Sequence, residues 1–210
     1  MLILLIWQSF RRIKAQQQLT RLEHSIFPVS IWQHVQQQHG TISSSQQQWI
    51  EAGFKDFLAL QILKRGYYIM PSKAVDEFWH LYLEHEPTHY QKMCQHILGF
   101  ELKHVPHATE LTAYQRVELK RKTLQTWHCS CELQRIATIY GLQRPRLFQI
   151  DQMVQWVGGF YISTEMIRQF QQVESQGADG SGGGDSSNSD SSDCDSSCSS
   201  CGGGCGGGGD

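Results

Sequence analysis

What the chain lacks narrows it first. No apolar run approaches the roughly 17 to 25 residues that a membrane-spanning helix needs; the stretch Leu2-Ile3-Leu4-Leu5-Ile6-Trp7 gives way at once to Gln8. Positive charge follows that stretch, at Arg11, Arg12 and Lys14, where a secretory signal would carry it in front. Net charge is scarce too. Six of the 20 acidic residues, all Asp, lie beyond Gln176, leaving 14 acids against 18 basic residues in the rest of the chain. That mild excess is not the dense basic patch that nucleic-acid binding calls for, so no nucleic-acid partner is expected. Seven cysteines are an odd number without a secretory context, which gives no support for a disulfide framework. No internal repeat is present.

What is there is helical. Apolar residues recur at close to 3.6 positions almost throughout, and glutamine, 25 of 210 residues, comes in runs flanked by apolar positions, as uncharged helix surface does. The pattern predicts an all-α fold, a compact helical domain of roughly seven to eight helices with a disordered C-terminal tail. Residues 1–26 form an N-terminal amphipathic helix, running from about Leu2 to Glu23; residues 27–174 form the helical domain; residues 175–210, rich in Gly, Ser, Asp and Cys, cannot bury a core. A second helix spans Ser30 to His39, with Ile31, Trp32 and Val35 inward and Gly40 as its stop. The third starts at a Ser45 cap with Gln48 three residues on, and points Trp49, Phe54, Phe57, Leu58, Ile62 and Leu63 inward. Ser72 caps a fourth, whose wide apolar face holds Val75, Phe78, Trp79, Tyr82 and Leu83. Pro87 opens a fifth, with Tyr90, Met93, Cys94, Ile97 and Leu98 inward and Gly99 ending it. A long helical pattern runs from Thr109 to Tyr140, with a break near Cys129 allowed for, and two short helices follow at Asp151–Val157 and Thr164–Val173.

Six of the ten histidines fall between Ser72 and His107, and this stretch holds the chemical candidates. His85-Glu86-Pro87-Thr88-His89 spells the H-E-x-x-H string of zinc peptidases, which needs both histidines on one helical turn. Pro87 opposes that. Inside a helix it costs about 3 kcal/mol and drives the residue before it out of helical geometry, so a break is expected at 86–87. The second candidate is the rim of Asp76 and His80, at helical i and i+4, to which His104 could return. It is read either as a structural hydrogen bond tying helix to loop or as a partial metal site. The third is the tail, Cys194-x3-Cys198-x2-Cys201-x3-Cys205, whose four thiols could bind a soft ion such as zinc or copper(I). Cys129 and Cys131, beside His128, diverge on a helix and read as structural.

Val75-Asp76-x-x-Trp79-His80, Tyr90-x-x-x-Cys94, Gly99 and His104-x-Pro106 together resemble the glycine-rich domain-containing protein family, in its bacterial form. The resemblance implies a family motif of Asp76, Trp79, His80, Tyr90, Cys94, Gly99, His104 and Pro106, and it implies no established activity. Read from the residues alone, the same positions form a core-rim constellation that holds the fold. Trp79 and Tyr90 bring large buried area with a polar tip, and Cys94 behaves as a small hydrophobe.

Function is therefore expected to be that of a non-enzymatic binding or interaction module, with an unknown protein as its partner. The alternatives are a metal-dependent hydrolase built on Asp76, His80 and His104, or on His85, Glu86 and His89, with zinc as the cofactor, and a metal-handling protein acting through the tail cysteines. The start of the chain, residues 2–13, is read as helix surface, as a shallow membrane contact with its basic flank, or as the remnant of a longer anchor. The expected location is cytoplasmic, at the inner face of a membrane where that contact is made.

Overall fold

The computed structural model describes residues 2–64, 66, 68–104, 112–136, 143–163, 165, 166, 168 and 169, and among them there are helices and no strand. Helix α1 covers Leu2–Glu23, α2 Val29–His39, α3 Ser44–Lys64, α4 Lys73–His85 and α5 Pro87–Met93. A π-helical turn, Cys94–Leu98, continues α5; α6 covers Ala113–Leu133, a 3-10 turn covers Arg146–Phe148, and α7 covers Ile150–Met153. The all-α reading holds, and so do the limits of the first helix. The expected helix beyond Thr164 is helical at residues 165, 166, 168 and 169. Its remainder lies outside the described residues, as do Pro106, Thr109, Tyr140, Gly141, the 175–210 segment and the four tail cysteines.

The long helices α3 and α4 form the centre, and a ring cluster binds them together. Phe27, Phe54, Phe78 and Tyr82 are each almost fully buried. Their rings meet edge-on or tilted at 5.5 to 6.3 Å. Such pairs add about 0.5–1.5 kcal/mol each beyond the area they bury. Trp32 of α2 lies against Phe78 at 4.9 Å, and Trp79 against Phe57 at 5.4 Å, so α2 and the far side of α4 join the same cluster.

Local chemistry moved several helix limits. The cap of α3 is Ser43, not Ser45: the Ser43 hydroxyl accepts from Gln46 N–H while the Gln46 side chain accepts from Ser43 N–H. Ser43 and Gln46 satisfy the reciprocal spacing as well as Ser45 and Gln48 do, and the earlier pair leaves Ser45 free to lie inside the first turn. Leu63, expected inward, is 43% exposed near the end of α3. Helix α6 begins at a full capping box of Thr112 and Gln115. It runs through Cys129 without interruption and ends at Leu133. Arg135 takes a left-handed φ of 55°, and Ile136 N–H donates back to the Cys131 carbonyl, closing the helix seven residues before the expected stop at Tyr140. A non-glycine residue in that conformation leaves no cue in the sequence.

The fifth helix also differs from a plain α-helix. Gly99, at φ 78°, donates its N–H to the Cys94 carbonyl across five residues. The wider turn exposes backbone carbonyls sideways, and side chains of α1 take them up. Gln18 Nε2 donates to the Leu98 carbonyl at 2.8 Å, and Arg21 Nη1 to the His96 carbonyl at 3.1 Å. Gln18, although polar, is buried there, and Leu22 beside it enters the core.

Candidate functional site

The N-terminal end of α4 is where polar groups from distant parts of the chain converge. A helix begins with N–H groups that have no partner inside it. In α4, Ser72 Oγ accepts from Val75 N–H at 3.2 Å, and the Asp151 carboxylate accepts from Lys73 N–H at 2.9 Å and Ala74 N–H at 3.0 Å. Asp151 also accepts from the Ser72 hydroxyl at 2.6 Å and from Phe160 N–H at 2.7 Å. It is 1% exposed. A negative group at a helix N-terminus is favoured by the dipole as well as by the hydrogen bonds. The chain can wrap this closely because Gly159 has no Cβ: one there would meet Asp151 Cβ at 2.7 Å and the Trp156 carbonyl at 3.0 Å.

One turn further along, Glu77 collects three partners. His39 Nε2 lies 2.8 Å from its carboxylate, Trp156 Nε1 donates to it at 3.2 Å, and Lys73 Nζ lies at 3.6 Å. Next to it, Asp76 Oδ1 is bonded to His104 Nε2 at 2.9 Å. The His104 side chain is 7% exposed. Its ring meets the Trp79 and His80 rings edge-on at 4.6 and 4.9 Å. Asp76 and Glu77 form one side of a cavity of about 490 Å³. Ser72 and Lys73 lie on the same side, and its other walls are Ile69, Met70 and Pro71 from the connector before α4, Leu119 and Thr123 from α6, and Gly158 to Phe160.

The sequence-predicted residues divide here. Asp76 and His104 are brought together, so the carboxylate takes the histidine that returns from the loop, and not its i+4 neighbour His80, which stays exposed at the edge of the pair. Trp79 Nε1 donates to Tyr90 Oη at 3.1 Å, and Tyr90 Oη donates to the Leu102 carbonyl at 2.6 Å, so both polar tips are spent on the fold. Cys94 is fully buried, and burial raises its thiol above the ordinary value against the smaller pull of hydrogen bonding to Leu102 and Tyr90. A thiol in that state is a poor nucleophile. Cys129 and Cys131 are buried in α6, and burial pushes Cys131 up to about 11. Gly99 serves the left-handed turn, and Pro106 lies outside the described residues.

The zinc-peptidase string is taken apart as the chemistry of Pro87 requires. Glu86, at φ −130° and ψ 48°, is both the end of α4 and the start of α5. His85 stacks on His34 of α2 at 3.6 Å, Glu86 accepts from the Ser30 hydroxyl at 2.5 Å, and His89 shares a 2.6 Å hydrogen bond with Tyr82 Oη. Among the described residues, no group of three or more His, Cys, Asp and Glu side chains is arranged to hold a metal ion. The Asp76–His104 pair therefore does not extend to a three-ligand set with His80.

Sequence reasoning missed Glu77, His39, Trp156 and above all Asp151. The usable signal was the pair Gly158-Gly159, seven and eight residues after an acid, since adjacent glycines permit a close backbone approach.

No curated protein and no solved structure matches the chain. One family profile does, UCP032817-like, over residues 17–182. This match overturns the resemblance to the glycine-rich domain-containing family, which rested on four short motifs between Val75 and Pro106. Among their residues Val75, Trp79, Tyr90 and Cys94 are buried core positions, the residue types that packing two amphipathic helices selects in many unrelated chains. The family match covers most of the chain and every described element except the first turns of α1, and the chain belongs to the UCP032817-like family, an uncharacterised family.

Proposed function

We propose that this domain is a non-enzymatic binding module whose ligand seat is the cavity at the N-terminal end of α4. The observation that carries the reading is a single one: two adjacent carboxylates, Asp76 and Glu77, with Lys73 as a cation beside them, on one wall of a cavity of about 490 Å³ whose other walls are largely apolar. That volume lies within the range of small-molecule pockets, which combine apolar walls with few, fixed polar groups. Glu77 is already satisfied by His39, Trp156 and Lys73. Asp76 has one described partner, His104. A carboxylate offers about four acceptor sites, so Asp76 retains capacity for a ligand N–H or O–H. The ligand this suits is a small molecule with an apolar body and a cationic or hydrogen-bond-donating end. The Asp76–His104 pair supports orientation of such a ligand, because the imidazole, packed on Trp79, fixes the carboxylate. Among the described residues no set of three donors supports the hydrolase reading, and the tail cysteines lie outside them.

Calorimetric titration of the full chain with 4-phenylbutylamine tests the proposal. Saturable binding is expected, weakened at least tenfold by Leu119→Trp, which fills the cavity from α6, and by Asp76→Asn. Both variants should keep the wild-type far-ultraviolet spectrum. Absence of saturable heat, or binding that Leu119→Trp leaves unchanged, would overturn it.

A further inference from the structure

Among the described residues nothing packs on the first half of α1. Every described side chain from Leu5 to Lys14 is exposed, and Leu5, Ile6, Trp7, Phe10 and Ile13 are 55% to 70% exposed. The helix docks through its second half, where Gln18 and Leu22 are buried and Ala15 and Leu19 pack on the core. At about 100° per residue, Ile6, Phe10 and Ile13 fall within roughly 60° of arc, and they lie on the side turned away from Leu19 and Leu22. Five large apolar side chains left in water on about two and a half turns of helix mark an interaction surface.

Charge says which surface. Arg11, Arg12, Lys14 and Arg21 are all on α1, and the helix holds no acid before Glu23. Lys14 falls about 40° beyond Phe10, on the border of the apolar stripe, where a long basic side chain reaches out sideways to headgroups while the apolar residues sink beside it. The stripe also opens on a groove of about 560 Å³ between α1 and the π-helical turn. Phe10 and Ile13 line one end of it, and Lys14, Arg21 and His96 give it basic character, with no acidic residue in its lining. Arg21 is held there by its bond to the His96 carbonyl, which the π-helical turn makes available. An apolar ridge running into a cationic groove has the layout of an acyl-chain region continued by a phosphate headgroup.

We infer that α1 is a membrane-surface element: it lies in the interface of an anionic bilayer, with Ile6, Phe10 and Ile13 inserted and a lipid phosphate seated in the groove of Lys14, Arg21 and His96. No helix among the described residues is long and apolar enough to cross a membrane, so the contact is one of lying on the surface and not of spanning it. The element precedes or overlaps only the start of the family match at Gln17, and it is independent of the cavity at α4.

Cosedimentation of the full chain with vesicles of phosphatidylcholine containing 30 mol% phosphatidylserine, against pure phosphatidylcholine, tests this at about 0.1 M salt, where surface charge still acts over about 10 Å. The expected result is binding to the anionic vesicles, at least tenfold weaker to the neutral ones. Phe10→Glu with Ile13→Glu should abolish it, and Lys14→Gln with His96→Gln should weaken it severalfold, with the melting temperature of each variant within a few degrees of wild type. No binding to anionic vesicles overturns the inference. So does binding that Phe10→Glu with Ile13→Glu leaves intact. Sedimentation velocity supplies the third outcome: a dimer that the Glu pair dissolves, without vesicle binding, would mean the face docks a second copy of the chain, and would also overturn it.

Discussion

The two ends of α4 carry similar residue types and do opposite things with them. At the C-terminal end His85, Glu86 and His89 are neighbours in sequence and strangers in space: each is taken up by a different partner, His34, Ser30 and Tyr82. At the N-terminal end the groups come from far apart, His39 from α2, His104 from the loop after the π-helical turn, Asp151 from α7 and Trp156 just beyond it, and they meet on Ser72, Asp76 and Glu77, which line one cavity. The difference lies in the backbone. A proline at 87 breaks the helix between the two histidines, so a string that would have formed a site on one continuous helix is dispersed. Four unsatisfied N–H groups at a helix start, by contrast, draw in whatever acceptor the fold can bring. Proximity in sequence counted for less than the demand of the helix terminus.

Cutting each end should separate them by size of effect. Asp151→Ala removes the acceptor of four hydrogen bonds in a buried place and is expected to cost about 3–5 kcal/mol in urea denaturation. The same cut at the other end, His85→Ala, is expected to stay under about 1 kcal/mol, since a ring stack at the surface is lost and no buried group is orphaned. Comparable losses at both ends would break the comparison. A half-buried carboxylate, away from both ends, sharpens it. Asp56 of α3 accepts from Gln134 Nε2 at 2.7 Å and lies 3.4 Å from Arg146, without a helix N-terminus to meet it. Burial pushes its carboxyl up to about 6, against the smaller downward pulls of Arg146 and Gln134. The folded state then holds that proton more tightly than the unfolded chain, where aspartate titrates near pH 4. Its stabilising contribution is complete below about pH 4 and is lost as pH rises through about 6, a change of about 2–3 kcal/mol. Asp56→Asn should gain that much on wild type between pH 4 and pH 7, and parallel pH profiles of the two proteins would contradict the assignment.

The helices were legible because burial repeats every 3.6 residues. Ile31, Trp32 and Val35 lie inward as the period requires, and so do Val75, Phe78, Trp79 and Tyr82. The break at Glu86 followed from Pro87 by stereochemistry alone. What could not be read was long-range. The pattern places Asp151 at the start of a short helix and says nothing of its partners; that it turns inward depends on α4 beginning beside it, which no local window records. The same holds for Asp76, whose nearest histidine in sequence, His80, is not its partner. The π-helical turn was hidden for another reason: a regular α-helix over Tyr90, Met93, Cys94, Ile97 and Leu98 buries the same residues.

The central claim is that the N-terminal end of α4, and not the histidine-bearing end, receives a ligand. Methyl-resolved NMR of the full chain during titration with 4-phenylbutylamine tests it directly. The methyl signals of Ile69, Met70 and Leu119, which line the cavity, should move saturably with one shared dissociation constant, while those of Leu83 and Met93, near the α4–α5 junction, stay in place. Shifts centred on Leu83 and Met93, or no saturable shift at any of the five, would contradict it.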